Sequence, residues 1–185
     1  MNKQYFDNLT EKTIESEEIF NGHILHLFND RIELPNGHES TREVIRHVGA
    51  VAIVPVTDDG KVVIERQFRY PLNSVITEIP AGKLDGPDED RLEAAKRELR
   101  EETGIVADDW LDMGEYYPAA AYCDEKLNIY LARGLHTKEQ ELDEDEFLNI
   151  EYVPLADLVQ EVMDGKITDG KTQVGLMKAA KVLGI

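Results

Sequence analysis

The sequence predicts an α+β fold in which a mixed β-sheet is sandwiched between helices and a small antiparallel sheet precedes it. Three observations predict this architecture. Residues 1–46 consist of short alternating segments separated by turn signals, and residues 91–103 carry the strongest helical pattern in the chain. Strands and helices then interleave without the regular alternation of a doubly wound sheet. We therefore expect an N-terminal β-sheet subdomain over residues 1–46 and a larger domain over residues 47–185.

The N-terminal segments are separated by sequences that favour tight turns. Asn21-Gly22 and Pro35-Asn36-Gly37 supply residues that adopt turn conformations readily. Residues 31–34, Arg-Ile-Glu-Leu, alternate charged and apolar side chains as a half-buried strand does. Small covering sheets commonly protect an edge or mediate dimerisation, so we expect one of these roles here.

In the larger domain, turn residues divide the chain into strands and helices. Residues 50–57 have the length and β-branching of a buried strand, and Asp58-Asp59-Gly60 turns the chain into the next one. The predicted elements, in chain order, are strands at 50–57 and 61–69, a short strand around Glu78, a loop at 80–90, a helix at 91–103, strands at 113–117 and 127–132 around a loop at 118–126, an acidic loop at 139–146, a strand at 149–153, and helices at 154–164 and 171–182.

The helix at 91–103 has both a regular apolar face and a stop signal. Leu92, Ala95 and Leu99 fall at positions i, i+3 and i+7, which lie on one side of a helix. Gly104 follows where a helix commonly ends with a glycine in the left-handed conformation.

The composition restricts the partners that the protein can have. The chain has 185 residues and a formal net charge of −18. Such an acidic chain disfavours binding to nucleic acid and to anionic membrane surfaces, since both depend on Lys and Arg. It still allows a phosphate substrate if a divalent metal ion supplies positive charge locally.

The sequence also indicates a cellular compartment. Its single cysteine, Cys123, fits a reducing environment. The N-terminus has Asp7, Glu11 and Glu15 where a signal peptide needs an apolar core. No apolar run approaches the ~20 residues that span a bilayer. We therefore expect a cytoplasmic protein.

Three carboxylates share one face of the predicted helix. Residues three and four apart lie on the same side, so Glu98, Glu101 and Glu102 point the same way. A hard cation such as Mg²⁺ would convert their mutual repulsion into ligation. The alternative is a solvated acidic face with Arg97 and Arg100 as counter-charges.

The residues around these carboxylates resemble the Nudix box. Gly82 and Glu89 precede the run Arg-Glu-Leu-Arg-Glu-Glu-Thr-Gly-Ile at residues 97–105, and all nine positions of that run match the family pattern. One departure lies upstream, where six residues instead of five separate Gly82 from Glu89. The insertion falls near Gly86, and it leaves Asp88 as a competitor for the role of the loop carboxylate.

Segments outside the box resemble the ADP-ribose pyrophosphatase branch of this family, from about residue 11 to the C-terminus. At the position where this branch typically carries a proline associated with ADP-sugar preference, the chain has Ala120 and places Pro118 nearby. The segments that carry the resemblance are Gln67-Phe68-Arg69, Glu78-Ile79-Pro80-Ala81-Gly82-Lys83-Leu84, Asp124-Glu125-Lys126-Leu127, Asp143-Glu144-Asp145-Glu146 and Asp169-Gly170-Lys171-Thr172.

The resemblance implies a Nudix-type fold, a mechanism and a set of site residues. It implies Mg²⁺-dependent hydrolysis of ADP-ribose to AMP and ribose 5-phosphate, with Mn²⁺ as a substitute, by a homodimer joined through the N-terminal sheet. Glu144 would be the general base, with Glu101 also catalytic. The implied metal ligands are the Ala81 carbonyl, Glu98, Glu101, Glu102 and Glu146, and the implied substrate contacts are Arg42, Glu43, His47, Arg69, Glu78, Glu125, His23 and Ile24.

Other interpretations stay open at this point. The substrate could be a different nucleoside diphosphate sugar or FAD. The chain could also be a non-catalytic Nudix module that senses a ligand, or an acidic metal-binding protein without catalysis. Individually, Arg69 could be an ordinary charge at a strand end, and Glu144 and Glu146 could be solvated loop acids.

Overall fold

The computed structural model describes residues 9–142 and 147–185. The chain divides into two units, which are described separately. The first comprises the chain up to His47 together with Ala119–Glu125, and the second comprises Val48–Pro118 and Lys126–Ile185. No helix in the described ranges is long and apolar enough to cross a membrane.

The first unit contains the predicted antiparallel sheet. Its strands β1 (Lys12–Asn21), β2 (His26–Glu33) and β3 (Glu39–Arg46) lie in the order β1-β2-β3. The turn after β2 is closed by Gly37, whose N–H donates to the Leu34 carbonyl at 2.9 Å and whose φ is 82°. This left-handed conformation favours glycine. The sequence Asn36-Gly37 predicted a turn here because a glycine can adopt this conformation without strain.

The segment Ala119–Glu125 is attached to the end of β3 by backbone hydrogen bonds. The Ile45 N–H donates to the Tyr122 carbonyl at 2.7 Å, and the Asp124 N–H donates to the Ile45 carbonyl at 3.1 Å. Sequence patterns did not predict this association, because it joins residues far apart in the chain.

Among the described residues, the second unit contains two sheets, three α-helices and a short 3-10 helix (Tyr70–Leu72). Its strands and α-helices are β4 (Ala50–Pro55), β5 (Lys61–Arg69), β6 (Ser74–Glu78), β7 (Ala81–Lys83), α1 (Arg91–Thr103), β8 (Ile105–Tyr116), β9 (Leu127–Thr137), β10 (Leu148–Pro154), α2 (Leu155–Met163) and α3 (Gly170–Leu183). One sheet has the order β7-β4-β9-β8 and the other has the order β10-β5-β6. Strand β4 runs parallel to β9, and the other described pairs of both sheets are antiparallel.

Strands β7 and β8 differ from the prediction. Strand β7 lies in the segment that was predicted as a loop over residues 80–90. Strand β8 begins at Ile105, whereas the prediction placed its start at residue 113. The first half of β8 reads Ile-Val-Ala-Asp-Asp-Trp, in which apolar and polar residues do not alternate, so it lacks the two-residue period that marks a strand in sequence.

The core of the second unit lies on both faces of β4, which is buried at every position. On one face Ala52 and Val54 pack in a cluster with residues of α2 and α3. On the other face Val51 and Ile53 pack in a cluster that includes Leu99 of α1. Burial on both faces explains the continuous apolar run of this strand.

Helix α1 begins and ends with well-formed caps. The Asp90 side chain accepts hydrogen bonds from the Leu92 and Glu93 N–H groups at 2.9 and 3.0 Å. At the other end Gly104, with a φ of 66°, donates its N–H to the Arg100 carbonyl at 2.8 Å. These caps satisfy backbone groups that the helix itself leaves unpaired.

The N-terminal cap supplies a test of stability. Replacing Asp90 with alanine should lower the free energy of unfolding by ~1 kcal/mol, because two N–H groups lose their acceptor. Urea unfolding followed by circular dichroism measures the change. Asp88→Ala is the matched control, since Asp88 is exposed in the same loop; an equal loss in both variants would contradict the assignment of the cap.

Candidate active site

Helix α1 and strand β7 bring the carboxylate of Glu98 against the backbone of Gly82. A Cβ atom added at Gly82 would lie 2.0 Å from Glu98 Cδ and 2.1 Å from Glu98 Oε2. Real Cβ atoms do not come this close to other atoms, so a side chain at residue 82 would displace Glu98. The glycine therefore leaves room for the Glu98 carboxylate at its observed position.

Glu102, one helical turn further on, is fixed to the same strand. Its side chain is buried, with 4% of the residue exposed. Its Oε2 atom accepts the Ala81 N–H at 2.9 Å. Glu102 thus contacts Ala81 and Glu98 contacts Gly82, which are consecutive residues of β7. The Ala81 carbonyl, a predicted metal ligand, belongs to the peptide that joins these two residues.

Arg97 joins several of the box carboxylates. Its Nη1 lies 2.8 Å from Glu98 Oε1 and 3.2 Å from Glu101 Oε2. Its Nη2 lies 3.2 Å from Glu89 Oε1. Burial alone would lower the pKa of Arg97, but the charge of Glu98 and the hydrogen bonds that Arg97 donates to Glu101 and Glu98 outweigh it and raise the pKa above its ordinary value. Arg97 is therefore a permanent cation at the centre of this group.

The extra residue between Gly82 and Glu89 is accommodated in a turn. The Glu89 N–H donates to the Gly86 carbonyl at 3.3 Å, and Glu89 Oε2 accepts the Asp85 N–H at 2.6 Å. Glu89 also accepts hydrogen bonds from Arg97, so it contacts the box and stays a prediction for the loop carboxylate. Asp88, the competitor, is exposed.

A polar cavity of about 240 Å³ opens beside this group. It is bordered on one side by the segment after β9, where the Glu141 N–H donates to the Glu101 carbonyl at 3.1 Å and Glu141 Oε1 lies 2.8 Å from Arg100 Nη1. The cavity is lined by Gly82, Lys83, Asp85, Arg97, Glu98, Glu101 and Glu141. Its size and its carboxylate lining suit a small, highly charged ligand together with cations.

The donor set fits a hard divalent cation. In the part of the chain that the structure describes, no three His, Cys, Asp or Glu side chains are close enough together to hold a metal ion as they stand. The carboxylates of Glu98 and Glu102 nevertheless both lie against β7, and Gly82, which has no Cβ atom, leaves room for the Glu98 carboxylate. Carboxylate and backbone carbonyl oxygens are the ligands that Mg²⁺ and Mn²⁺ prefer.

A second charged group forms around Arg69 and Glu78, which are the last residues of β5 and β6. Arg69 donates to both carboxylate oxygens of Glu78, with Nε–Oε2 at 2.7 Å and Nη2–Oε1 at 3.1 Å. Lys171 of α3 also binds Glu78 and lies 3.2 Å from Asp169. Burial alone would lower the pKa of Arg69, but Glu78 and more distant acids, including Asp169 and Glu102, raise it. The predicted residues Arg69 and Glu78 therefore contact each other, and Lys171, for which no role was predicted, joins them.

The remaining predicted substrate contacts that are described belong to the first unit. Arg42 donates to Glu11 at 3.0 Å and to the Thr41 carbonyl at 2.9 Å. The His47 N–H donates to Asp124 Oδ1 at 2.7 Å, and the His47 ring lies 4.0 Å from Glu125. The structure leaves Glu43, His23 and Ile24 exposed, and Ala120 lies exposed in a turn.

The predicted general base Glu144 and the predicted metal ligand Glu146 lie outside the described residues. Their roles stay predictions. The described residue nearest to them on the N-terminal side is Leu142, which follows the Glu141 contact with α1.

Comparison with known proteins shows which protein families the chain resembles. The NUDIX domain model matches residues 46–172, and the model of the nucleoside diphosphate sugar hydrolase N-terminal domain matches residues 11–45. The chain is 43% identical over 167 residues to the ADP-ribose pyrophosphatase of Bacillus subtilis (strain 168). The matched region covers 89% of this chain and 90% of that protein. It is 40% identical over 168 residues to the methanol dehydrogenase activator of Bacillus methanolicus, covering 90% of each.

A solved structure shows the same architecture. The crystal structure of an ADP compounds hydrolase matches with a TM-score of 0.85 and 27% sequence identity, covering 95% of this chain and 96% of that chain. This match confirms the predicted α+β fold. The helix of carboxylates from Arg97 onwards, the glycine that admits Glu98, and the family match over residues 46–172 together show that the chain belongs to the Nudix family.

Proposed function

We propose that the protein hydrolyses the diphosphate bond of ADP-ribose to AMP and ribose 5-phosphate, with Mg²⁺ as the metal and Mn²⁺ as a substitute. The observation that carries the proposal is the convergence of Glu98 and Glu102 on Ala81 and Gly82 beside a polar cavity. The similarity to an ADP-ribose pyrophosphatase over most of the chain supports this substrate.

In the proposed mechanism, side chains of the protein bind the metal, orient the substrate and remove a proton from the attacking water. Glu98, Glu102, the Ala81 carbonyl, Glu101 and Glu146 would hold the metal, which when bound neutralises phosphate charge and acidifies water. Glu144 would accept a proton from the attacking water as the water oxygen bonds to one phosphorus. The bond from that phosphorus to the bridging oxygen breaks, and the leaving phosphate takes the electron pair.

Arg69 would bind the diphosphate. Its guanidinium is planar and permanently charged, its side chain is 41% exposed, and Glu78 accepts hydrogen bonds from the Nε and Nη2 atoms along one edge of the guanidinium. The residues that would contact the sugar and the base are Arg42, Glu43, His47, Glu125, His23 and Ile24.

The N-terminal sheet would join two copies of the chain in the cytoplasm. Its strand β1 exposes Ile14, Ile19 and Phe20, with 44%, 53% and 54% of each residue exposed. Exposed apolar side chains on a strand support the proposal that another protein covers this surface. The division into a sheet subdomain over residues 1–46 and a hydrolase domain over 47–185 agrees with where the two family matches meet.

A substrate panel tests the proposal. Release of phosphate, with a coupled phosphatase, is measured for ADP-ribose, ADP-glucose, GDP-mannose, FAD and 8-oxo-dGTP in Mg²⁺. We expect ADP-ribose to give the highest kcat/KM, at least about tenfold above GDP-mannose and FAD, because one or two lost polar contacts cost about 1–3 kcal/mol. Removal of the metal with EDTA should abolish turnover.

The outcomes separate the alternatives. A preference for GDP-mannose, FAD or 8-oxo-dGTP would refute the substrate and leave metal-dependent hydrolysis intact. Binding of ADP-ribose without any hydrolysis would instead identify a ligand-sensing module. Reactions without protein and without the coupled phosphatase provide the background.

A further inference from the structure

Glu78 lies between two cations and is almost completely buried. Its side chain is 4% exposed, and both of its oxygens accept hydrogen bonds from Arg69. Lys171, whose side chain is 13% exposed, donates to the same Oε1 atom that accepts from Arg69 Nη2. The carboxylate is thus enclosed by protein donors, which leaves Glu78 poorly placed to contact a substrate itself.

Lys171 is held at this position by the start of α3. Asp169 caps the helix by accepting the Thr172 N–H at 2.9 Å and the Thr172 hydroxyl at 2.6 Å. The same hydroxyl accepts the Ile79 N–H at 2.9 Å. The first turn of α3 is therefore attached to residues 78 and 79 through two side chains, immediately before the segment that carries Ala81 and Gly82.

The charges of this group balance. Arg69 and Lys171 carry two positive charges, and Glu78 and Asp169 carry two negative ones. Without the Lys171 ammonium, Arg69 would be the one cation left in this group of four, although Thr172 would still donate to Asp169. The guanidinium would then be drawn towards both acids, and the positive potential that it presents on its exposed side would fall.

We infer that Lys171 and Glu78 are positioning residues that orient the Arg69 guanidinium for the diphosphate of the substrate. Glu78 fixes the plane of the guanidinium through a two-point contact. Lys171 neutralises the second acid and restrains Glu78 through its Oε1 atom. The inference rests on the proposed function for the identity of the substrate, but the coupling of Lys171 to Arg69 is a property of the chain itself.

The first measurement is kinetic and uses the full chain. Lys171→Met should lower kcat/KM for ADP-ribose by about 10- to 100-fold, the usual effect of losing a supporting contact around a site. A rise in KM should account for most of the loss, because Arg69 would contact the substrate before and during the reaction. Lys166→Met is the matched control, since Lys166 is an exposed lysine paired with Asp164 just before α3.

A double-mutant cycle shows whether Lys171 acts through Arg69. In an Arg69→Gln background, Lys171→Met should change kcat/KM by less than about threefold, since its target is already absent. An equal loss in both backgrounds would mean that Lys171 contacts the substrate directly, and it would overturn the inference. Melting temperatures of all variants identify any that fail to fold.

The second measurement needs neither substrate nor metal. The side-chain Nε–Hε resonance of Arg69, assigned by its absence in Arg69→Gln, should move in Lys171→Met and stay in place in Lys166→Met. A resonance unchanged by Lys171→Met would overturn the inference even if the enzyme is active. If the wild-type protein fails to hydrolyse ADP-ribose, the proposed function fails while this measurement still decides the coupling.

Discussion

Glu102→Gln is expected to lower kcat/KM by about 10³-fold at a fixed Mg²⁺ concentration. A bound metal contributes several kcal/mol of stabilisation to phosphoryl transfer, and ~4 kcal/mol corresponds to this factor. The substitution removes one charge but keeps an oxygen that can accept the Ala81 N–H. The loss should therefore come from metal binding and not from unfolding.

The measurement is kcat/KM for ADP-ribose over a range of Mg²⁺ and Mn²⁺ concentrations, with metal affinity from calorimetry. Glu93→Gln is the matched control, because Glu93 lies in the first turn of the same helix, with 67% of its side chain exposed. Turnover of Glu102→Gln near the wild-type value would show that this carboxylate is no metal ligand.

Gly82→Ala should lower kcat/KM by about 10²-fold or more. Its Cβ atom would lie within 2.2 Å of both Glu98 carboxylate oxygens, so the carboxylate must move by an ångström or more. Misplacement of a reacting group by about 1 Å can cost 10²-fold. Since one methyl group is the whole change in the side chain, the result would show how closely the site depends on the backbone of β7.

Gly86→Ala is the control for this variant. Gly86 lies in the same loop, has nothing within 4 Å of an added Cβ and has no positive φ. It should retain near wild-type kcat/KM and melting temperature. If Gly82→Ala were as active as Gly86→Ala, Glu98 could not hold its observed position during catalysis.

Helix α1 could be predicted to the residue because its signals are local. The apolar positions repeat with the helical period, and Gly104 marks the end. The three carboxylates needed only the geometry of an ideal helix, and the structure then added the partners of Glu98 and Glu102 in β7.

Elements whose stability comes from distant neighbours were predicted less well. Strand β7 has three residues, which is too short for any period to be recognised, and it exists because it pairs with β4. The first half of β8 lacks an alternating pattern and is a strand because it pairs with β9. In both cases the tertiary partner, and not the local sequence, decides the conformation.

The second charged group shows the same limit for the site. The resemblance pointed to Arg69 and Glu78, and it also included the segment around Lys171, but spacing in sequence gives no reason to bring residues 78 and 171 together. Only the packing of α3 against the sheet does so. The structure joins Arg69, Glu78 and Lys171 in one ionic group, and the substrate contacts predicted for Arg69 and Glu78 stay predictions.

The buried residues that pack against the two faces of β4 lie at different distances from it along the chain. On the face of α1, the buried residues packed with Val51 and Ile53 come mainly from residues 51–105, joined by Tyr130 and Ala132. On the opposite face, many come from residues 127–131 and 155–180. Contacts between residues close in sequence cost less loop entropy and form faster. The topology thus favours an order of folding in which the half that carries the carboxylate helix assembles first and the C-terminal helices close over the sheet afterwards.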